Sequence, residues 1–310
     1  MAQDLSIESA EHTYLITTRT IGSKLWFVNN PELEKYVLSF LAKYQEKYEV
    51  ILYAFIIMGN HYHLVASFPK ANKSAFLQSF NSIFARLTSS RVEQFDGGRV
   101  WARRARTQIL PRDEDIEHWS FYCALNSVSS GLLENHNEYS GYNSFFDNIY
   151  RNERKFKLVD WSDYNNRSRA NKSLTTKDCT HTYTLKFSRL PGYDKLTNKQ
   201  YKNRMLRSIE ERRVATVQKR LAEGKGFASK ETLLAVEPGT APKSTKTSQR
   251  HTPRPLVLTL CMETKRACVD ALFVIAATFK EASKKYRAGD FTAVFPCGTY
   301  RPVTRCLSTA

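Results

Sequence analysis

The chain has 310 residues, 42% of them hydrophobic and 12% aromatic, values of a globular protein with room for one large domain or two ordinary ones. It carries 47 Lys and Arg against 30 Asp and Glu, a formal net charge of +17, which favours a polyanionic partner, nucleic acid before an anionic membrane surface. No run approaches the roughly 18 apolar residues of a membrane span. The opening MAQDLSIESAEHTY is too polar and acidic for a signal or transit peptide, and six cysteines without a CxxC pair are expected to be free thiols in a reducing cytoplasm.

In chain order, TYLITTR (13–19) alternates with β-branched and aromatic residues and predicts a first strand. Leu25 to Val28 are expected to extend the sheet. Asn30 and Pro31 then open a helix, the proline standing where its missing N–H is harmless, and Leu33, Tyr36, Val37, Phe40, Leu41 and Tyr44 form its apolar stripe. EVILYAFII (49–57) predicts a strand, with HYHLVASF as its antiparallel neighbour across a Met58-Gly59-Asn60 turn. A second helix is expected over 73–92, with Phe76, Leu77, Phe80, Ile83, Phe84 and Leu87 on one face and Arg86 and Arg91 near its end. After the Asp96-Gly97-Gly98 turn, the basic VWARRARTQIL is either an edge strand or an extended loop. A third helix, capped at Pro111–Asp113, is expected to run to about Leu133. The order β-α-β-β-α-(β)-α defines an α+β class, an antiparallel sheet with helices on its face, ending near residue 150.

Residues 151–310 then form a basic, mixed α/β C-terminal extension. Its first thirty residues are polar with little periodicity, and HTYTLKFSRL (181–190) predicts a strand. A long charged helix follows, with Tyr201, Met205, Leu206, Ile209 and Val217 as a modest apolar face. Residues 237–255, rich in Pro, Ser, Thr and Lys, predict a flexible basic linker, and a last helix is expected from Glu263 to about Ala288. The extension either folds back on the first domain or adds a grip on nucleic acid through its charged helix and Lys243, Lys246, Arg250 and Arg254.

The chemistry-bearing stretch is FIIMGNHYHLVASF (55–68). With period two, His61, His63, Val65 and Ser67 share one side of the strand. The two imidazoles either make ordinary hydrogen bonds on a sheet face or converge on one metal ion. The helix beyond the basic stretch contains Tyr122 and Asn126, four apart, so both can point into one site. Each has a plain alternative, a packed aromatic and an exposed mid-helix amide. A tyrosine hydroxyl, with a pKa of about 10, is a poor nucleophile at neutral pH unless a cation neutralises the phosphodiester it attacks. Two imidazoles and an amide oxygen with open positions suit Mg²⁺ or Mn²⁺ catalysis better than a closed zinc site.

These motifs together resemble the REP-associated tyrosine transposases, HUH single-strand endonucleases close to the transposases of IS200-type elements. The family's Pro-Asn-His-x-His appears as Gly59-Asn60-His61-Tyr62-His63, and its Gly-x-x-Trp followed by basic residues as Gly98-Arg99-Val100-Trp101 with Arg103, Arg104 and Arg106. Its nucleophile helix, Tyr-x-x-x-Asn-Pro-Val-x-x-Gly-Leu, appears from Tyr122 through Asn126, Ser127 and Val128 to Gly131-Leu132, and Tyr139, Tyr142, Ser144 and Phe145 look like the cluster that follows it. Gly59 and Ser127 replace two prolines, and neither replacement touches a candidate ligand. The resemblance covers about residues 12–150 and implies a ferredoxin-like sheet, His61, His63 and Asn126 as ligands of Mg²⁺ or Mn²⁺, and Tyr122 as the nucleophile. The implied partner is hairpin-forming single-stranded repeat DNA, with structured RNA a further candidate, and a monomer is favoured over a homodimer. Arg86, Arg99, Arg103, Arg104, Arg106 and Lys243, Lys246 and Arg250 are expected to meet phosphates. Trp101 is expected either to stack on a base or to pack in the core. The implied setting is a bacterial cytoplasm, at the nucleoid. The competing reading is a hairpin DNA- or RNA-binding protein of the same fold without the chemistry.

Overall fold

The computed structural model describes residues 5–242 and 256–302. Lys243, Lys246, Arg250 and Arg254 therefore lie outside the described residues, with most of the expected linker. The first half runs β1 (Thr13–Arg19), α1 (Pro31–Tyr48), β2 (Ile51–Met58), β3 (His61–Ser67), α2 (Lys73–Arg91), β4 (Arg106–Leu110), α3 (Asp113–Ala124), α4 (Asn126–Ser129) and α5 (Phe145–Tyr150). The second half adds β5 (Arg154–Val159), α6 (Trp161–Arg167), β6 (Thr180–Leu185), α7 (Asn198–Ala222), α8 (Lys230–Leu234) and α9 (Met262–Arg287).

The four-stranded sheet has the order β2-β3-β1-β4 with every neighbouring pair antiparallel. A β-α-β-β-α-β chain in that spatial order is the ferredoxin-like arrangement. The basic stretch thus resolves into an edge strand, Arg106–Leu110, preceded by a loop in which Trp101 bridges Thr20. Leu25–Val28 do not extend the sheet. They form a turn in which Trp26 and Phe27 are buried and the Phe27 N–H donates to Gly59 O at 2.9 Å. Burying two large rings outweighs the β propensity of so short a segment.

Helix α1 begins where the sequence places it. The Asn30 side chain accepts from the Leu33 N–H, and Pro31 takes the first helical position. On one face of the sheet, Phe76, Phe80 and Phe84 of α2 are spaced one turn apart, Phe76 packing on Phe68, Phe80 on Phe55 and Tyr62, and Phe84 on Tyr62. The other face carries α3, with Ile116, Phe121 and Ala124 packed over Leu15, Ile56 and Val65.

The second half shares both layers. The antiparallel β5–β6 pair lies against α1, where the Gln45 amide donates to Lys186 O at 2.7 Å and accepts from the Lys186 N–H at 3.1 Å. β5 was not expected, because its face is mostly solvated and Arg154, Lys155 and Lys157 break its pattern. The long α7 starts at a Thr197–Gln200 capping box and buries Tyr201, Met205 and Ile209 against α4 and α5. Val257 adds a bridge to the outer edge of β4. Gly239, at the start of the expected linker, has φ +90° and sits where a Cβ would lie 2.6 Å from the Trp26 ring. No helix among the described residues is long and apolar enough to cross a membrane.

One buried histidine makes the fold acid-sensitive. His136 stacks on Phe146 with ring centroids 6.0 Å apart, and neither ring nitrogen has a hydrogen-bond partner. Burial, then the charge of Arg213, pushes its pKa down to about 4. The unfolded chain, titrating near 6.5, binds the proton first. Stability is therefore full above pH 6.5 and lost as pH falls towards 4, by on the order of 1.4 kcal/mol per pH unit. His136→Phe keeps the stack and removes the titration. Thermal melts should show an equal or higher Tm at pH 7.5 and a smaller drop between pH 6.5 and 4.5 than the parent.

Candidate functional site

His61 and His63 lie on β3, second in the sheet, and both are buried, 8% and 6% exposed. Their ring centroids are 4.9 Å apart at 85°. The register of the sheet sets their surroundings. Residues directly opposite in antiparallel strands share a face, so Arg19 beside His61, and Thr17 and Arg106 in the row of His63, lie on the histidine side. Gly59 lets this strand start close to the β1–α1 connection, since a Cβ there would lie 2.8 Å from Val28 and 2.9 Å from Leu25.

The hydrogen bonds orient both rings. The Asn60 amide donates from Nδ2 to Ser23 O, which leaves Oδ1 to accept from His61 Nδ1 at 2.7 Å. His61 Nε2 then carries the lone pair. His63 Nδ1 meets Thr17 Oγ1 at 2.8 Å, a contact that frees Nε2 for a ligand when the ring donates. Burial, and after it the charge of Arg19, pushes the His63 pKa down to about 3. His61 is held well below its ordinary value by burial first, then by His63 and Arg19. Both rings are neutral at pH 7, the state a metal requires, and each has the partner on its other nitrogen that fixes a metal-binding imidazole. Among the described residues no group of three or more His, Cys, Asp and Glu forms a metal cluster. A third protein ligand would thus be of another kind, such as an amide oxygen. The residues present fit a catalytic divalent cation with open positions and do not fit a closed structural zinc.

Tyr122 packs against His63. Its ring centroid is 5.2 Å from that of His63 at 74° and 4.9 Å from that of Trp119 at 64°. Asn126 is 3% exposed, with Oδ1 accepting from Ser130 Oγ at 3.4 Å. The expected single helix to Leu133 is broken, because Leu125 departs from helical geometry at φ −99°, ψ 13° and the Asn143 side chain donates to Ala124 O. Tyr122 ends up on α3 and Asn126 opens α4. Gly131, at φ +75°, lies under Arg220 of α7, with a Cβ position only 2.0 Å from Nη2. A glycine at the end of this motif is therefore demanded twice, by backbone geometry and by the α7 contact.

The basic residues divide. Arg103, Arg104 and Arg106, with Gln78, Asn81 and Trp101, line a groove of about 890 Å³ between α2 and residues 101–107, with no acidic residue among the described residues of its wall. Arg103 and Arg104 are exposed, while Arg106 sits in the row of Thr17 and so links the groove to the histidine face. Trp101 packs edge-on against Phe84, and its indole N–H donates to Asn81 O at 2.9 Å, which makes it a wall of the groove. Arg99 is exposed in the preceding turn and Arg86 is exposed on α2 near Tyr44, so neither lines the groove. Arg19 and Thr17 were missed from the sequence. Their only signal is their place in a strand whose pairing partner was unknown.

Residues 11–115 match the family model for IS200-like transposases. The match takes in the histidine strand and the arginines of the groove, and stops short of Tyr122 and Asn126. Among solved structures, the chain resembles a REP-associated tyrosine transposase bound to a REP hairpin. The two are 13% identical, with a TM-score of 0.42 over 49% of this chain and 87% of that one. No curated protein matches. The segment 11–115, with its ferredoxin-like sheet and its paired histidines, is thus the part of the chain that is similar to IS200-like transposases.

Proposed function

We propose that the chain is a metal-dependent single-strand DNA endonuclease and strand transferase that uses Tyr122 on hairpin-forming repeat DNA. The observation that carries this reading is the Tyr122 ring packed 5.2 Å from His63, one of two adjacent neutral imidazoles whose Nδ1 atoms are engaged. His61, His63 and Asn126 would hold Mg²⁺ or Mn²⁺. A cation so held supplies charge neutralisation at the phosphodiester. The Tyr122 hydroxyl oxygen attacks phosphorus in line, and the bond to the 3′ oxygen breaks. That oxygen leaves as a 3′-OH carrying the proton lost by the tyrosine, and the 5′ end stays as a phosphotyrosine. Attack by another 3′-OH reverses the exchange and joins strands, with no external energy source because the number of phosphoester bonds is constant.

A denaturing gel tests the reading. End-labelled hairpin strands from the genomic flanks of the gene are incubated with the protein, with Mn²⁺, with Mg²⁺ or with chelator. A metal-dependent protein–DNA adduct is expected. Tight binding without an adduct under either metal would leave a hairpin-binding protein on an enzyme's fold. The groove is expected to hold backbone phosphates. The double variant Arg103→Ala, Arg104→Ala should weaken binding about tenfold at physiological salt for all hairpin sequences alike. It should also lower the slope of log affinity against log salt by about 2. An unchanged slope would place the DNA elsewhere.

A further inference from the structure

We propose that Trp119 is a positioning residue, the platform on which the base beside the attacked phosphodiester stacks. The inference rests on the reading of Tyr122 as the nucleophile. Helix α3 places Trp119 three residues before Tyr122, and the two rings are in edge contact at 4.9 Å. Trp119 is only partly buried, packed against the layer that holds Leu15 and Val65. Its indole N–H makes no hydrogen bond to the described residues and is not among their buried unpaired groups, so it reaches the surface. Trp101 differs, with its ring boxed in by Phe27, Tyr62 and Phe84 and its N–H used by the backbone. A large apolar ring left part-open is costly in water unless something covers it.

What covers it follows from its neighbours. The same side of the sheet presents Arg19 and Arg106 and the histidine pair, a cationic and polar floor suited to a phosphodiester. His118 stands 5.4 Å from the indole, edge-on to it. An anionic backbone lying across that floor to meet Tyr122 brings one base within reach of Trp119. Aromatic stacking is tolerant of base identity and restrains the nucleotide, so it would hold the phosphorus in line with the Tyr122 hydroxyl without reading sequence.

The test walks a single 2-aminopurine along a tailed hairpin strand, whose fluorescence is quenched when the base stacks. In the parent protein one or two adjacent positions should be quenched, next to the phosphodiester where the Tyr122 adduct maps. Trp119→Leu, which keeps an apolar surface for packing, should abolish that quenching and weaken binding of the tailed strand about tenfold. Trp119→Phe should restore most of both, and Trp119→Met is the second variant should the leucine chain unfold. Quenching that survives in Trp119→Leu or Trp119→Met, or quenching at no position of bound DNA, overturns the proposal even if the adduct forms. Trp119-dependent quenching with no adduct under any metal sustains the platform and overturns the nuclease reading instead.

Discussion

Tyr122→Phe is expected to bind hairpin DNA as the parent does and to form no covalent complex, a loss of about 10⁴-fold or more in cleavage. The substitution keeps the ring contacts with His63 and Trp119 and removes one oxygen, so the effect isolates the nucleophile. Neighbouring tyrosines offer no substitute. The Tyr139 hydroxyl donates to Ile57 O and burial raises its pKa, and the Tyr142 hydroxyl donates to Asp147, with burial as the largest cause of its raised pKa. Tyr62 donates to Asn81 on the opposite face of the sheet. An adduct that persists at full rate in Tyr122→Phe, mapped by peptide mass to another residue, would sink the assignment.

The second large effect belongs to the histidines. His61→Ala and His63→Ala should each weaken Mn²⁺ binding at least 100-fold by calorimetry, beyond the 10–100-fold typical of losing a partner behind a ligand. Each should also abolish the adduct. The calorimetric readout stands apart from catalysis, so a chain that binds metal normally without either ring would refute the site directly. Because burial holds both rings neutral, affinity should stay level from pH 8 to 6. Two exposed imidazoles would instead lose metal to protons as pH falls through 6.5. A fall over that interval would mean that the rings are more open to water than their burial indicates.

Elements whose signals are local are legible in one sequence window. Period two in HYHLVAS put both histidines on one face, and Asn30-Pro31 located the start of α1. The phenylalanines of α2 declared their buried face through one-turn spacing. These follow from the geometry of a single strand or helix, which one sequence window contains. That Thr17 holds His63 and that Arg19 and Arg106 flank the pair emerges only when the strands pair. Strand pairing joins residues some 40 to 90 positions apart and leaves no trace in either segment alone. The break at Leu125 likewise depends on Asn143, and the β5–β6 pair depends on α1 to cover it. The basic residues were legible as a charge excess, yet their division between the groove and the outer surface was not. Composition counts charges, and only packing gives them a direction.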